Sequence, residues 1–373
     1  MQLRNLTTAA ERRAFLIEKH NARLDQVSKA LVDDESKIHC ENLIGAISLP
    51  VGVAGPLAAT GELVKGEFYL PLATTEGALV ASVNRGCKAT HDSGGVRVSA
   101  SKAGTTRGPV FYTGSLAESK RLKDWIALHL PEITSKAHET SHHLTLKDIT
   151  IKPLADYVFM RIAFDTEDAM GMNMVTIATQ AIVQFIEGET GISCLSVAGN
   201  FDIDKKPAWL NFINNRGFTL WAEATIPAEV VKTVLKTSAH DIFEVWLGKC
   251  MLGSAMSGSL GYNAHFANII AALFAATGQD LAHVVEGSMG ITTARVTDNN
   301  GLYFSVYLPA VMIGTVGGGT QLSTQREMQE LIGVKTSGEL AEITAGAVLA
   351  GELSLLASLA QGTLATAHKK LGR

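Results

Sequence analysis

The sequence predicts an α+β fold, with a large domain built around a central buried helix and a small inserted domain of the ferredoxin-like (split βαβ) type. The first observation is Leu252–Asp280, which is apolar and rich in small residues on every face, as in a helix buried all round. The second is the order β-α-β-β-α-β over residues 109–197, which is that of the small fold. The third is that no G-x-G-x-x-G segment follows a strand, so a Rossmann fold is not expected.

The central helix is expected over residues 263–277, about 22 Å long, with Gly278 as its C-cap. Polar residues interrupt the run before the roughly 18 apolar residues of a membrane span accumulate. His265 and Asn268 are three residues apart and would share one face. Asp280 comes just after the helix, where the helix dipole disfavours a carboxylate unless a cation compensates. We therefore expect this helix to present polar groups to a site.

Composition narrows the class of protein. A chain of 373 residues is expected to form two domains. A net charge of −4 gives no electrostatic reason to expect nucleic acid or an anionic membrane as partner. The four cysteines are scattered without C-x-x-C spacing, which disfavours zinc and disulfides and fits a reducing cytosol. The N-terminal segment lacks the apolar core of a signal peptide. The expectation is a cytoplasmic protein without a metal.

The chain divides into three parts. Residues 1–40 form an N-terminal helical arm, with Thr7 or Thr8 as N-cap and Glu11 at capping-box spacing. Residues 41–108 and 198–373 form the large domain. Residues 109–197 form the small one, with helices expected over 116–130 and 168–190 and a loop that begins at Ser135.

Several polar residues admit both an ordinary and a functional interpretation. Residues 204–207, Asp-Lys-Lys-Pro, form either a solvated charged loop or a ligand-binding loop after a buried strand. A lysine held near a carboxylate there could act on a developing oxyanion. Glu76 is most simply a helix cap, Asp168 a residue favoured by a helix dipole, and His368 a surface histidine. The histidines of 138–143 more often form a solvated loop than a metal site.

Nine segments, in order, carry a resemblance to a known family: ENLIGAISLPVGVAGPL, TTEGALVASVNRGC, RGPV, DAMGMNM, GN-x4-DKKP, GSAMSGSLGYNAHFAN, GQD, GTVGGGT and AGELSLLASLAQGTL. Together they resemble 3-hydroxy-3-methylglutaryl-coenzyme A (HMG-CoA) reductase. The residues of these segments resemble those of the class I branch, in a soluble form without a membrane anchor. The resemblance runs from about Glu41 to the C-terminus.

The resemblance implies an oxidoreductase that converts (S)-HMG-CoA to (R)-mevalonate and coenzyme A by two hydride transfers from NADPH, in the mevalonate pathway of isoprenoid biosynthesis. It further implies that the small domain binds the nucleotide and that active sites are shared in a homodimer or a dimer-based oligomer. Alternatives are the same reaction with NADH, the oxidative, mevalonate-degrading direction, and an inactive homologue that binds coenzyme A esters.

The resemblance also assigns roles to residues. Lys205 would stabilise and protonate the thiohemiacetal oxygen, Asp280 would tune Lys205, Glu76 would donate a proton, and His368 would protonate the coenzyme A thiolate. The hydroxymethylglutaryl group would be held by Arg107, Asp204, Lys206, Lys249, His265 and Asn268. Coenzyme A would contact Ser82, Asn84, Arg85 and Lys236. The cofactor would contact Ser141, His142, Asp168, Met172, Asn173, Val316 and Gly317.

Three positions depart from the family pattern. Ala198 stands where a serine is usual, which removes or replaces one substrate hydrogen bond. Ser141-His142 stands where Ser-Arg usually holds the 2′-phosphate of NADP, and a neutral imidazole binds phosphate more weakly than a guanidinium. The chain ends Gly372-Arg373 where Asn-Arg is usual. NADPH remains the expected cofactor because Ser141 is retained, with NADH as the alternative.

Overall fold

The computed structural model describes residues 3–362, so the predictions for His368 and the Gly372-Arg373 end lie outside the described residues. The strands are β1 (Val51–Thr60), β2 (Lys65–Ala73), β3 (Val96–Arg107), β4 (Val110–Tyr112), β5 (Thr145–Leu154), β6 (Tyr157–Asp165), β7 (Cys194–Ser196), β8 (Arg216–Ile226), β9 (Gly261–Tyr262), β10 (Gly290–Val296) and β11 (Leu302–Val311).

The α-helices are α1 (Ala9–His20), α2 (Asp25–Lys29), α3 (Leu79–His91), α4 (Leu116–Leu128), α5 (Leu130–His138), α6 (Met172–Thr190), α7 (Trp209–Asn214), α8 (Ala228–Thr233), α9 (Ala239–Trp246), α10 (Ser254–Ser257), α11 (Phe266–Thr277), α12 (Val284–Gly287), α13 (Ser323–Ile332) and α14 (Ser337–Ala360). A π-helical turn (Leu247–Gly253) joins α9 to α10, and short 3-10 turns occupy Leu3–Asn5, Glu35–Lys37, Leu281–His283 and Gly318–Gln321.

Two sheets share one long strand, β3. Its first part pairs with β8 in a large sheet of order β2-β1-β3-β8-β11-β10-β9, and its last three residues pair with β6 in a small sheet of order β5-β6-β4-β7. The change of partner occurs at Gly104, whose φ of +105° is strained for any other residue. A side chain there would also meet the carbonyl of Phe164. Each sheet supports its own buried apolar cluster.

The chain leaves the large sheet and returns to it at neighbouring residues. Gly108 forms an isolated β-bridge with Ala198, and the N–H of Gly199 donates to the carbonyl of Gly108 at 2.5 Å. Glycine is required at 199, because a Cβ would lie 2.9 Å from the side chain of Val110. Residues 109–197 therefore begin and end at one point.

The helix buried on nearly all sides is α14, of whose 24 residues 19 are buried. It packs against α3, β3 and β8. By length and composition α14 could cross a membrane, but its burial inside the protein is that of a core helix. The prediction of a central helix over 263–277 is thus not confirmed, although α11, shorter than expected, packs beside α14 and ends at Gly278 in the left-handed conformation as predicted.

Other boundaries differ from the predictions for local reasons. Helix α6 begins at Met172 rather than Asp168, because Gly171 at φ +87° interrupts the helical backbone before it. Residues 135–138, the start of the predicted loop, belong to α5, which has a proline in its first turn, where the missing N–H costs nothing. In the N-terminal arm, Thr8 and Glu11 form the predicted capping box.

Candidate active site

A cavity of about 630 Å³ lies where the small sheet meets the large one. Its wall is formed by Arg107 at the end of β3, the start of α6, the 204–205 loop, residues 278–280 after α11, and a glycine-rich loop over 314–320. Eight of the predicted site residues line it: Arg107, Met172, Asn173, Asp204, Lys205, Asp280, Val316 and Gly317.

Close backbone contacts hold the loops of this cavity together. Gln279 and Gly314 exchange two hydrogen bonds of 2.9 Å, side-chain amide to backbone. Gly278 lies against Gly319, and a Cβ on Gly278 would be 2.3 Å from its carbonyl oxygen. Because larger residues would separate these loops, the glycines fix the position of Asp280 relative to the 314–320 loop.

Lys205 and Asp280 form the ion pair at the centre of the cavity, with Nζ to Oδ2 at 2.7 Å. Partial burial opposes ionisation of the carboxyl, but hydrogen bonds from Lys205 and from the Ala282 N–H outweigh it, so the pKa of Asp280 lies below its ordinary value. Lys205 is therefore the cation that the helix dipole requires beside a carboxylate at the C-terminal end of α11. Both side chains are a little over one-third exposed, so they can reach a substrate.

Behind the ion pair lies a buried charged network that sequence reasoning missed. Its centre is Arg216, which is fully buried and donates to Glu286 at 2.5 Å, to Asp204 at 3.0 Å and to the hydroxyl of Thr106 at 2.8 Å. Glu286 also accepts from the ring of His283 at 2.7 Å. The network fixes Asp204 and the loop that carries Lys205.

Asp204, His283 and Glu286 each offer an atom within 4.8 Å of the others, a spacing that would suit a metal ion. The guanidinium of Arg216 pairs with both carboxylates and supplies the positive charge that a metal would bring. Two N–H···O contacts to a buried arginine are the usual way of satisfying such oxygens. We therefore interpret the cluster as a structural network.

Arg107, a predicted substrate residue, points into the cavity from β3. Its guanidinium lies 3.4 Å from Asp204 and 3.5 Å from Asp202, and its Nε donates to Thr176 on α6. Burial raises the pKa of Asp202 although Arg216 and Arg107 oppose the shift. Lys206 turns away, and its ammonium donates to the carbonyl of Asp204 at 3.2 Å.

Glu76 and Asn268 form a second group, apart from the cavity. The amide of Asn268 donates to the carboxylate of Glu76 at 2.7 Å. Asn268 lies in the first turn of α11, and His265 is its N-cap residue rather than part of the helix. From Asn268 to Thr277 the helix rises about 14 Å. Glu76 and the Lys205–Asp280 pair therefore lie at opposite ends of α11.

Of the predicted coenzyme A residues, Ser82, Asn84 and Arg85 lie on α3, and Lys236 follows α8. Ser82 and Arg85 contact Ser354 of α14, each at 3.0 Å, and burial lowers the pKa of the Arg85 guanidinium. The amide oxygen of Asn84 accepts from the N–H of Gly55. Lys236 is exposed. Lys249, predicted to hold the hydroxymethylglutaryl group, is also exposed and lies on the π-helical turn after α9. None of these five lines the cavity.

Some of the predicted cofactor residues line the cavity and the others lie outside it. Met172, Asn173, Val316 and Gly317 line the cavity. Asp168 instead tethers three segments, because its carboxylate accepts from Ser337 at the start of α14 and its carbonyl accepts from the 315–316 backbone. Ser141 and His142 lie in the turn before β5. The ring of His143 in that turn contacts Glu167 at 2.8 Å, two residues before Ala169, which lines the cavity.

The missed residues had weak sequence signals. Arg216 follows a polar loop and opens a strand, where nothing distinguishes it from a surface arginine. His283 and Glu286 are three apart, six residues or fewer beyond Asp280, in a segment that reads as a short connection. Only the pairing of β8 with β3 and β11 brings Arg216 to this place.

The site combines an ion-paired lysine, an arginine and the N-terminus of a helix around one cavity. Such a set of positive groups suits an enzyme that stabilises negative charge on a substrate oxygen. The sequence model of the hydroxymethylglutaryl-coenzyme A reductase family matches residues 8–373. The chain therefore belongs to that family and is an oxidoreductase.

Individual relatives agree with this assignment. The chain is 47% identical over 370 residues to the HMG-CoA reductase of Methanothermobacter thermautotrophicus, covering 97% of this chain and 92% of the relative. It is 48% identical over 385 residues to that of Aeropyrum pernix, covering 100% and 91%. In fold it is similar to the class II HMG-CoA reductase of Streptococcus pneumoniae bound to NADPH, with a TM-score of 0.70, 20% identity, and coverage of 95% of this chain and 93% of that one.

Proposed function

We propose that this protein reduces (S)-HMG-CoA to (R)-mevalonate and coenzyme A with two equivalents of NADPH, in the mevalonate pathway. The observation that carries the proposal is the Lys205–Asp280 pair, held at 2.7 Å in a cavity shared by the two sheets. Its archaeal relatives are reductases of the same name at 46–48% identity.

Each chemical step requires a charge or a proton that these residues can supply. When bound, the nicotinamide supplies hydride. Lys205 donates a hydrogen bond and then a proton to the oxygen of the thiohemiacetal, and Asp280 orients the ammonium beforehand. Glu76 supplies the proton of the second reduction. His368, outside the described residues, is proposed to protonate the departing thiolate.

The cofactor is proposed to bind on the small domain, residues 109–197, which we propose to be ferredoxin-like. The strand order β5-β6-β4-β7, all antiparallel, supports that fold. Met172 and Asn173, the first residues of α6, line the cavity, and a helix N-terminus favours a phosphate. The residues of the 141–142 turn would lie at the phosphate end.

The nine sequence segments support a class I-like enzyme, and the deep burial of α14 is consistent with a cytoplasmic one. The large domain, residues 41–108 and 198–373, is proposed to bind HMG-CoA, and the arm of residues 1–40 to pack outside it. Two separate apolar clusters support this division, one under each sheet.

The active form is proposed to be a homodimer with shared sites. The length of α11 supports this, because it separates Glu76 from Lys205 by well over the roughly 3–3.5 Å at which reacting groups must meet. A second copy that brings its own Glu76–Asn268 end to the Lys205–Asp280 end of the first would complete the site.

The test is absorbance at 340 nm, with purified protein, HMG-CoA and each nicotinamide cofactor in turn. We expect two equivalents of NADPH to be oxidised for each coenzyme A released. No oxidation with either cofactor, in a folded protein that binds HMG-CoA, would favour an inactive ester-binding homologue. Oxidation of mevalonate far faster than reduction of HMG-CoA at cellular concentrations would favour the degrading direction.

Cofactor preference is expected to be relaxed because His142 replaces an arginine. The ratio of kcat/KM for NADPH to that for NADH should stay below about a thousandfold, or roughly 4 kcal/mol. His142→Arg should raise the ratio about tenfold, because a guanidinium can donate two parallel hydrogen bonds to the 2′-phosphate. His129→Arg, at a helix terminus of the same domain, is the matched control and should leave it unchanged. A preference above a thousandfold in the wild type would contradict the proposal.

A further inference from the structure

His283 is completely buried between the catalytic ion pair and the charged network behind it. Its Nδ1 lies 2.7 Å from Oε1 of Glu286, and its Nε2 lies 3.7 Å from Oδ2 of Asp280. That Asp280 oxygen is the one that receives the Lys205 ammonium. Nε2 itself has no hydrogen-bond partner among the described residues. The ring therefore spans the distance between Glu286 and the carboxylate of the ion pair.

Glu286 connects the same ring to the backbone of Lys205. Its Oε1 accepts from the Lys205 N–H at 3.3 Å and from Arg216 at 2.5 Å. Lys205 has a φ of +55°, a conformation that residues with a side chain seldom adopt. Such a backbone persists when its surroundings hold it, and Glu286 is the side chain that contacts its N–H.

We infer that His283 is a positioning residue for the reduction. One ring nitrogen holds the carboxylate that anchors the Lys205 backbone, and the other faces the carboxylate that orients the Lys205 ammonium. The inference rests on the proposed function, in which Lys205 acts on the substrate oxygen. A displacement of about 1 Å at such a group is enough to lower a rate by about a hundredfold.

Three carboxylates and two cations surround the His283 ring, and a substitution of His283 should disturb their interactions. Asp204 is 3.9 Å from Nδ1, and Glu286 and Asp280 are the other two carboxylates. Arg216 and Lys205 are the cations that pair with them. An apolar ring-sized substitute would fill the space but would leave Asp280 beside a less polar wall, which disfavours its charged form.

The kinetic test compares His283→Leu with His283→Asn, whose amide nitrogen can replace Nδ1 toward Glu286. His283→Leu should lower kcat about a hundredfold with KM for HMG-CoA within about threefold of wild type, because ground-state binding does not depend on Lys205 alone. His283→Asn should retain activity within about tenfold of wild type. His240→Leu, an exposed histidine on α9, is the matched control and should behave as wild type.

A second measurement does not depend on turnover. The ¹³C resonance of the Asp280 carboxyl, assigned with Asp280→Asn, would be followed against pH in the wild type and in each variant. The Asp280 midpoint should rise by about half a unit or more in His283→Leu and by less in His283→Asn. If His283→Leu does not fold, His283→Asn decides with the same two measurements against wild type.

In folded His283→Leu, an unchanged kcat or an unchanged Asp280 midpoint would overturn the inference, and in His283→Asn an unchanged Asp280 midpoint would do so. Equal losses of kcat in both variants, with the midpoint unmoved, would assign His283 a merely structural role. If the wild type reduces HMG-CoA with neither cofactor, the proposed function fails, and the Asp280 titration still decides whether His283 positions the ion pair.

Discussion

The two ends of α11 carry predicted catalytic groups that differ in how they are held. At the C-terminal end, Lys205 and Asp280 are supported from behind by a network whose arginine, histidine and glutamate are fully buried. At the N-terminal end, Glu76 is exposed and has one side-chain partner, Asn268, within the described part of the chain. The first group is thus supported by a buried network within a single chain, whereas Glu76 has little support from the described residues of its own chain.

The largest loss of activity should come from removing Lys205, which the buried network supports. Lys205→Met removes the ammonium that we propose to act on the substrate oxygen, so kcat should fall about a thousandfold or more. Because both partners are more than one-third exposed, the free energy of unfolding should change by no more than about 1 kcal/mol. Rates at 340 nm and a denaturant titration measure the two effects. Lys232→Met, an exposed lysine on α8, is the control; a large loss of stability in Lys205→Met would contradict the assignment.

Mixing two inactive variants tests whether the halves come from different chains. Lys205→Met and Glu76→Gln chains, unfolded together and refolded in equal amounts, should recover about a quarter of wild-type activity. Half of the dimers are then mixed, and each has one intact site of two. If both groups acted within one chain, every mixed dimer would be inactive. Each variant refolded alone supplies the baseline.

A smaller effect is expected from the support of Glu76. Asn268→Ala removes the only side chain that donates to Glu76 in the described residues, and kcat should fall about tenfold. Stability should change by less than about 1 kcal/mol, because this hydrogen bond is exposed. The double variant with Glu76→Gln should lose little more than Glu76→Gln alone. If the losses of kcat in the two single variants add fully in the double variant, Asn268 acts independently of Glu76.

The smallest effect concerns pH and stability. Because the folded-state pKa of Asp280 is below its ordinary value of 3.8, its charged form stabilises the protein fully above that value. This contribution is lost as the pH falls through the folded-state pKa. The difference in unfolding free energy between wild type and Asp280→Asn should be constant from pH 7 to 5, amount to less than about 1 kcal/mol, and shrink below pH 3.8. A difference that grows on acidification would contradict this.

Much of the C-terminal half of the site could be predicted from sequence. Lys205 and Asp280 lie in short polar segments that follow buried elements, and Asp280 was expected to need a cation. Arg216, His283 and Glu286 were not predicted, because their roles depend on burial and on strand pairing between residues about 70 to 110 apart. The length of α11 was overestimated because the polar residues before Phe266 continue the apolar pattern without being helical.

The neighbouring positions of Gly108 and Ala198 make the small domain an insertion in the literal sense. Seen from the large sheet, residues 109–197 are one loop whose ends touch, and the entropic cost of closing such a loop grows only slowly with its length. A short turn joining Gly108 to Ala198 should therefore leave a host that folds and keeps its apolar cluster. The same junction would accept a different guest domain, so the half of the cavity that is proposed to bind the cofactor could be exchanged by protein engineering.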